Sequence, residues 1–392
     1  MNSTNWSAGL LSAIIACAFL LQVVVPAAEH GSSGKDYYVY IGTYTGPKSK
    51  GIYLYRLETG KPALVQVGVA AETPSPSFLA IHPNHKFLYA VNEVDNFKGQ
   101  KSGAVSAFAI DRSTGLLTAI NEQSSGGPGP CHVSVDHAGK VVLVANYAGG
   151  SVAAYPIEKN GGLGAAGTFI QHRGSGVNSQ RQSTPHGHFI TMDKPNRHAL
   201  ACDLGLDEIL VYHLDAKKAL LTPNDPPYGT VEPGAGPRHL AFHPNGRFVY
   251  VINELASTLT TFTYDSKQGR LEKIETVPTL PKGFSGNNST AEVQMHPSGK
   301  FIYGSNRGHN SIAVFSIDQK SGRVQLVQHE STRGKTPRGF DVDPSGRFLV
   351  AANQDSNSLS LFAIDQASGR LSPIGEPIPA PMPVCVVFMP VK

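Results

Sequence analysis

"GAGPRHLAFHPNGRFVYVINE", Gly234 to Glu254, places an Arg and a His ahead of an apolar run, a Pro-Asn-Gly turn at its middle and a Glu after a second apolar run. Proline presets φ and glycine tolerates φ > 0, so the middle reads as a tight turn between two antiparallel strands. The charged residues then lie together at the other end of the hairpin. The pattern recurs as "PSFLAIHPNHKFLYAVNE" (Pro76 to Glu93), "PCHVSVDHAGKVVLVANY" (Pro130 to Tyr147), "TAEVQMHPSGKFIYGSNR" (Thr290 to Arg307) and "PRGFDVDPSGRFLVAANQ" (Pro337 to Gln354). A degenerate copy, "PHGHFITMDKPNRHALACDL", occupies Pro185 to Leu204.

The residue closing the second strand marks each unit: Thr43, Asn92, Asn146, Asp203, Asn253, Asn306 and Asn353, at intervals of 47 to 57 residues. Each unit continues with an alternating segment such as "SVAAYPI" or "SIAVFSI", a turn, and a short fourth strand. Four short antiparallel strands at this period describe a blade, and seven units describe an all-β, seven-bladed β-propeller. The first unit, "YYVYIGTYT", lacks its first strand, and "PMPVCVVFMP" (Pro381 to Pro390) is a first strand with nothing after it. The C-terminal strand is therefore expected to complete the N-terminal blade, closing the ring and removing its open edges.

In such a ring the first strand of each blade lines a central channel. Residues just before the first strand and just after the second share one face, because the two strands are antiparallel. The first set is His132, His186, His188, Arg238, His239, Glu292 and Arg338; the second is Glu93, Tyr147, Asp203, Glu254, Arg307 and Gln354. Arginines, histidines and carboxylates converging on one mouth offer general acid and base groups and cationic clamps for an anion or an oxyanion. His82, His243 and His296 of the "HP" turns belong to the opposite face and read as turn residues. The repeated Asn markers read as structural, bonding to neighbouring backbone. Strand alternation sets His188 and His239 on the other side from His186 and Arg238, where packing between blades is as good a reading as a place in the site. "PHGH" has metal-ligand spacing but no evident third or fourth ligand, so no metal and no cofactor is expected.

Of the 392 residues, 16% are charged and the net charge is +4, spread through the turns, which does not support a nucleic-acid surface. Ala8 to Val25 is almost wholly apolar, and Ala27 and Ala28 resemble a signal-peptidase site. Residues 1–28 are expected to be a signal peptide, 29–35 a linker and 36–392 the propeller domain. The protein would then be exported, periplasmic or secreted, with no membrane span once the leader is removed; an uncleaved anchor is the alternative. Cys131, Cys202 and Cys385 lie in strands without C-x-x-C spacing and read as buried single thiols. Cys17 lies inside the leader.

"YVYIGTYTGPKSKGIYLYRLETG", "GGPGPCHVSVDHAGKVVLVANYAGGSVAAYPI", "PHGHFITMDKPNRHALACDLGLDEILVY", "GAGPRHLAFHPNGRFVYVINE" and "GSNRGHNSIAVFSID" resemble the bacterial lactonase family of seven-bladed propellers. That family includes 6-phosphogluconolactonases and the related carboxymuconate lactonizing enzymes of fungi, and the resemblance spans residues 36 to 390. It implies an enzyme acting on a lactone that carries negative charge. It also implies functional residues matching a His (His186 or His188), Arg238, Glu254 and Arg307, positions that the strand-end argument selects by itself. The expectation is hydrolysis of a sugar-type lactone without a metal. Glu254 or a rim His would serve as base, Arg238 and Arg307 would bind the anionic group and oxyanion, and His186 or His188 would protonate the leaving oxygen. His132, Tyr147, Glu93, His239, Glu292 and Arg338 are the expected substrate contacts. Two alternatives stand beside this one: a non-catalytic propeller that captures an anionic ligand or protein partner, and a cycloisomerase running the reverse chemistry.

Overall fold

Alternating apolar and polar residues form strands where the periodicity predicts them, and no helix interrupts them among the described residues. The computed structural model describes residues 1–4 and 35–392, of which 35–392 belong to one compact unit. The leader, all of the linker except Lys35, and Cys17 lie outside the described residues, apart from the first four. The unit contains 28 strands in seven four-stranded sheets, each ordered from the channel outward. Blade 1 combines Pro383–Pro390 with Tyr37–Thr43, Gly51–Glu58 and Ala63–Glu72, and Tyr40 pairs with Val387 in the ladder that closes the ring. The first strands of blades 2 to 7 are Leu79–Ile81, Pro130–Val135, Gly187–Met192, Pro237–Phe242, Ser289–Met295 and Pro337–Val342.

No blade buries its faces alone. Each hydrophobic cluster is shared by two neighbours: Val39, Tyr55 and Phe388 of blade 1 pack on Val350 and Leu359 of blade 7, and Tyr40 and Leu54 pack on Leu88 and Phe108 of blade 2. Five further clusters join the remaining pairs. Burying such a side chain contributes about 1.5–3 kcal/mol, so an unclosed ring would expose two whole rows of them.

Polar links repeat around the ring. Tyr40, Tyr89, Tyr250 and Tyr303 each donate a hydroxyl hydrogen bond to a turn carbonyl of the next blade, at Gly115, Gly161, Gly322 and Gly369. The turn histidines behave as expected on the far face: His82, His243 and His296 donate through Nε2 to Gly139, Gly299 and Gly346 of the following blade, at 3.0, 2.9 and 2.8 Å. Gly139 has φ of 63°, and a Cβ there would lie 2.4 Å from the His82 ring, so this contact requires glycine. The marker asparagines also hold blades together, with Asn146 Nδ2 donating to Ser125 O and Asn353 Nδ2 to Thr332 O.

Register shifts occur in the outer strand pairs as well, but those on the innermost strands position the site. In blade 5, Pro237 pairs with Asn253 and His239 with Ile252, so Arg238 is an extra residue with none opposite it. The same bulge isolates Cys131 in blade 3, His188 in blade 4 and Arg338 in blade 7. In blade 6 Ala291 and Glu292 together lie between paired Thr290 and Val293. Bulges re-aim side chains and concentrate near active sites. Simple alternation therefore misassigns the register: His188, not His186, occupies the position of Arg238, while His132, Phe189 and His239 correspond to one another.

Candidate active site

The bulge residues and the second-strand ends meet over the channel in a cavity of about 270 Å³, lined by Glu93, Cys131, Tyr147, Arg181, His188, Glu254, Arg307 and Arg338. At its centre Glu254 accepts from three arginines. Arg181 Nη2 reaches Oε1 at 2.7 Å, while Arg238 Nε and Arg307 Nη2 reach Oε2 at 3.1 and 2.8 Å. Burial alone would raise the pKa of this carboxyl, but Arg307, Arg238 and Arg181 outweigh it and hold it at about 2. Glu254 is thus a fixed anion that gathers guanidiniums and a poor proton acceptor. Burial lowers the Arg307 pKa to about 10, which leaves it cationic at neutral pH.

Charge in the cavity is unbalanced. Arg181, Arg307 and Arg338 line it against Glu93 and Glu254, and Arg238, outside the lining, adds a further positive charge through its bond to Glu254, an excess of two over the whole cluster. Glu93 accepts from Tyr44 at 2.9 Å, and the Tyr44 ring lies under Arg338 with 5.5 Å from guanidinium carbon to ring centroid. Arg338 has no hydrogen-bond partner among the described residues, and Arg307 Nε is buried without one. Burial works against the Arg338 charge, but Tyr44, Glu93 and Glu254 more than compensate.

His188 is buried in the cavity wall with Nδ1 3.6 Å from Cys131 Sγ. Burial first, then Arg238, His239 and Arg338, push its pKa well below the usual histidine value, so the ring is neutral at pH 7. The Cys131 thiol is pushed up by burial and stays protonated. His186 lies outside the cavity wall, stacked on the Tyr147 ring with centroids 4.5 Å apart and Nδ1 donating to Tyr147 O at 3.0 Å. Of the two histidines in "PHGH", the structure brings only His188 to the cavity.

Three expected substrate contacts sit deeper. His239 accepts from Arg238 Nη1 through Nε2 at 3.3 Å and donates from Nδ1 to Glu292 Oε1 at 3.0 Å, which supports Arg238 from behind. His132 packs between Phe78 and Phe189, with centroids 4.3 and 4.0 Å away, and closes the middle of the channel with His239. Burial outweighs Arg238 and a backbone N–H to raise the Glu292 pKa to about 8, so this carboxyl is neutral at pH 7. Beyond that plug a second cavity of about 600 Å³ opens on the other side, walled largely by Val133, Leu240, Phe242 and Met295. It is larger but lacks the arginines. Among the described residues no group of three or more His, Cys, Asp or Glu is placed to hold a metal ion, and no helix is long and apolar enough to cross a membrane.

Arg181 is the residue that sequence reasoning missed. It belongs to no strand end but to "HRGSGVNSQRQSTPH", His172 to His186, between blades 3 and 4. The signal was in the spacing, since the longest interval between markers, Asn146 to Asp203, contains it. Asp203, expected at the rim, is fully buried and clasps both ends of this segment. Its Oδ2 accepts from His172 Nδ1 at 2.6 Å and its Oδ1 from His186 N at 2.7 Å.

The family model for lactonases of the seven-bladed β-propeller type matches residues 38–388. A 6-phosphogluconolactonase of Bacillus subtilis is 38% identical over 353 residues, covering 90% of this chain and 98% of that one. A 6-phosphogluconolactonase of Formosa agariphila is 34% identical over 310 residues, 78% of this chain and 86% of its own. Among solved structures, the periplasmic gluconolactonase of Pseudomonas aeruginosa superimposes with a TM-score of 0.86 at 31% identity, covering 91% of this chain and all of that one.

Proposed function

The protein belongs to the lactonase family of seven-bladed β-propellers, and from that premise we propose that it hydrolyses a sugar-type lactone carrying an anionic group. The observation that carries this reading is a neutral imidazole, His188, set in a small cavity where the cluster of four arginines outnumbers its two carboxylates and where Arg338 has no acceptor among the described residues. A cation-rich pocket stabilises the charge that develops on a carbonyl oxygen under attack, and a neutral imidazole can take a proton from water.

In the proposed sequence a water oxygen attacks the lactone carbonyl while His188 removes its proton. Arg338 and Arg307 stabilise the oxyanion. As the tetrahedral intermediate collapses, the ring C–O bond breaks and the imidazolium of His188 returns the proton to the departing ring oxygen, giving the open hydroxy acid. Glu254 holds Arg181, Arg238 and Arg307 in place and exchanges no proton, since its carboxyl titrates far below neutrality. The low pKa of Glu254 supports the histidine over Glu254 as the base. Export through residues 1–28 belongs to the same proposal, and the periplasmic relative supports it.

The test is lactone opening against pH with the wild-type chain and His188→Gln. A base whose pKa is depressed stays deprotonated until the pH falls below that lowered value, so the acid limb of kcat/KM should lie below pH ~6.5, the ordinary histidine value. His188→Gln should lose about 100-fold or more of the rate together with that limb. A wild-type limb above pH 7, or a variant near full rate, counts against the scheme. A chain that opens no lactone but binds sugar acids would favour the binding propeller, and turnover of a muconate-type substrate would favour the cycloisomerase.

A further inference from the structure

The segment His172 to His186 is built to hold one side chain over the cavity. Asp203 fixes both of its ends, through His172 Nδ1 and His186 N. Tyr212 adds a hydrogen bond to His172 Nε2 at 3.0 Å, so the anchor is buried and polar-satisfied. Gln182, fully buried, donates to Leu204 O at 2.8 Å and to Asp207 Oδ1 at 2.7 Å, and its backbone N donates to Asn178 O at 2.6 Å. The backbone beside Arg181 is therefore pinned to blade 4.

The Arg181 side chain is not pinned in the same way. It is 42% exposed, against 3% for Arg238 and 12% for Arg307. Only one of its nitrogens, Nη2, has protein partners among the described residues: Glu254 Oε1 at 2.7 Å and Tyr147 OH at 3.2 Å. Glu254 can release it without becoming unpaired, because Oε2 keeps Arg238 and Arg307. Once Nη2 leaves Glu254 it can pair with Nε or Nη1, both unengaged, as a planar fork that matches an incoming phosphate, which offers two acceptors at once. An uncharged polyol offers nothing that competes with a carboxylate for it.

We propose that Arg181 is a specificity-determining residue that exchanges Glu254 for the substrate's anionic group, so that the 172–186 strap selects lactones bearing a dianionic group over neutral ones. This rests on the lactonase reading above and deepens it. The selection operates in binding, and its test needs no turnover.

Titration calorimetry of the full chain with 6-phosphogluconate and with gluconate, the acids that the two kinds of lactone would yield, reads the preference directly. The wild-type chain should bind the phosphorylated acid at least about tenfold more tightly, the worth of one charge-assisted hydrogen bond. Arg181→Ala should bring the two affinities together by weakening the phosphorylated acid alone, with an unchanged melting temperature, and Arg181→Lys should restore part of the difference. Equal weakening of both acids would mark a merely structural residue and overturn the proposal. So would a preference that survives in Arg181→Ala, or a wild-type chain that does not distinguish the two acids. Failure of the lactonase reading looks different: no lactone is opened, while the preference and its loss in the variant persist.

Discussion

On one face of the ring His82, His243 and His296 each reach the turn glycine of the next blade in nearly the same geometry. On the other face the equivalent ends of the same hairpins carry Glu93, Tyr147, Glu254 and Arg307, three residue types in four positions, and the bulges beside them carry Cys131, His188, Arg238 and Arg338. Both faces are made by one repeat. Where every blade must solve the same problem, docking on its neighbour, the residues repeat. Where the blades jointly build one asymmetric cavity, they diverge, and two of the divergent positions, Arg238 and Glu254, are buried charges, a placement that is costly unless the charges find partners. Exchanging residues on one face should therefore alter chemistry, and on the other stability alone.

Glu254→Gln breaks this division most severely, because Glu254 serves both purposes. Its removal leaves three guanidiniums without their shared anion at a site only 8% exposed. Losing one partner of a buried ion pair costs about 3–5 kcal/mol. Urea unfolding should show a loss of that size, and lactone opening should fall by about 100-fold or more as the arginines separate. The native carboxyl has a pKa of about 2, below its unfolded value near 4.5, so its contribution is complete above pH ~4.5 and is lost as the pH falls toward 2. The wild-type advantage over the variant should shrink through that window. A variant as stable as the wild type at neutral pH would show that the cluster is not held by Glu254.

Arg338→Ala separates the two functions. No hydrogen bond to the described residues is lost, only the contact with the Tyr44 ring, so stability should change by about 1 kcal/mol or less. If Arg338 stabilises the oxyanion, kcat should fall by about 100-fold, a value comparable to removing a single oxyanion donor. Near-normal turnover in a folded variant would remove Arg338 from the mechanism and shift the weight to Arg307.

The repeat made the fold legible almost completely, including the closure of blade 1 by Pro383–Pro390. Paired strands and turns leave a periodic trace in the residues themselves. The site was legible to the extent that it followed that trace: Glu93, Tyr147, Glu254, Arg307 and Arg338 line one cavity as strand-end logic expects. It was not legible where a local irregularity took over. A bulge adds one unpaired residue, which no count of apolar and polar positions reveals, so His186 and His188 exchange places relative to alternation. Depth along the channel left no trace either, which is why His132, His239 and Glu292 were expected at the surface of the site and lie behind it. Arg181 arrives on a strap outside the repeat, visible beforehand only as extra length.

The smallest expected effect lies on the opposite face. His243→Ala removes the bond from Nε2 to Gly299 O and the bond that His243 Nδ1 accepts from Asn245 N, at 2.9 and 3.1 Å. The neighbouring tyrosine bond, Tyr250 to Gly322, and the cluster around Ile252 and Phe315 still join blades 5 and 6. A lost hydrogen bond that strands a buried carbonyl costs about 1–3 kcal/mol, and the redundancy of the interface argues for the lower end. Thermal unfolding should register that cost. Because His243 is separated from the arginine cavity by the packed rings of His132, Phe189 and His239, kcat and KM for lactone opening should stay at wild-type values. A changed KM would mean that the docking of blades 5 and 6 is transmitted along the innermost strand to Arg238, and the two faces would then not be independent.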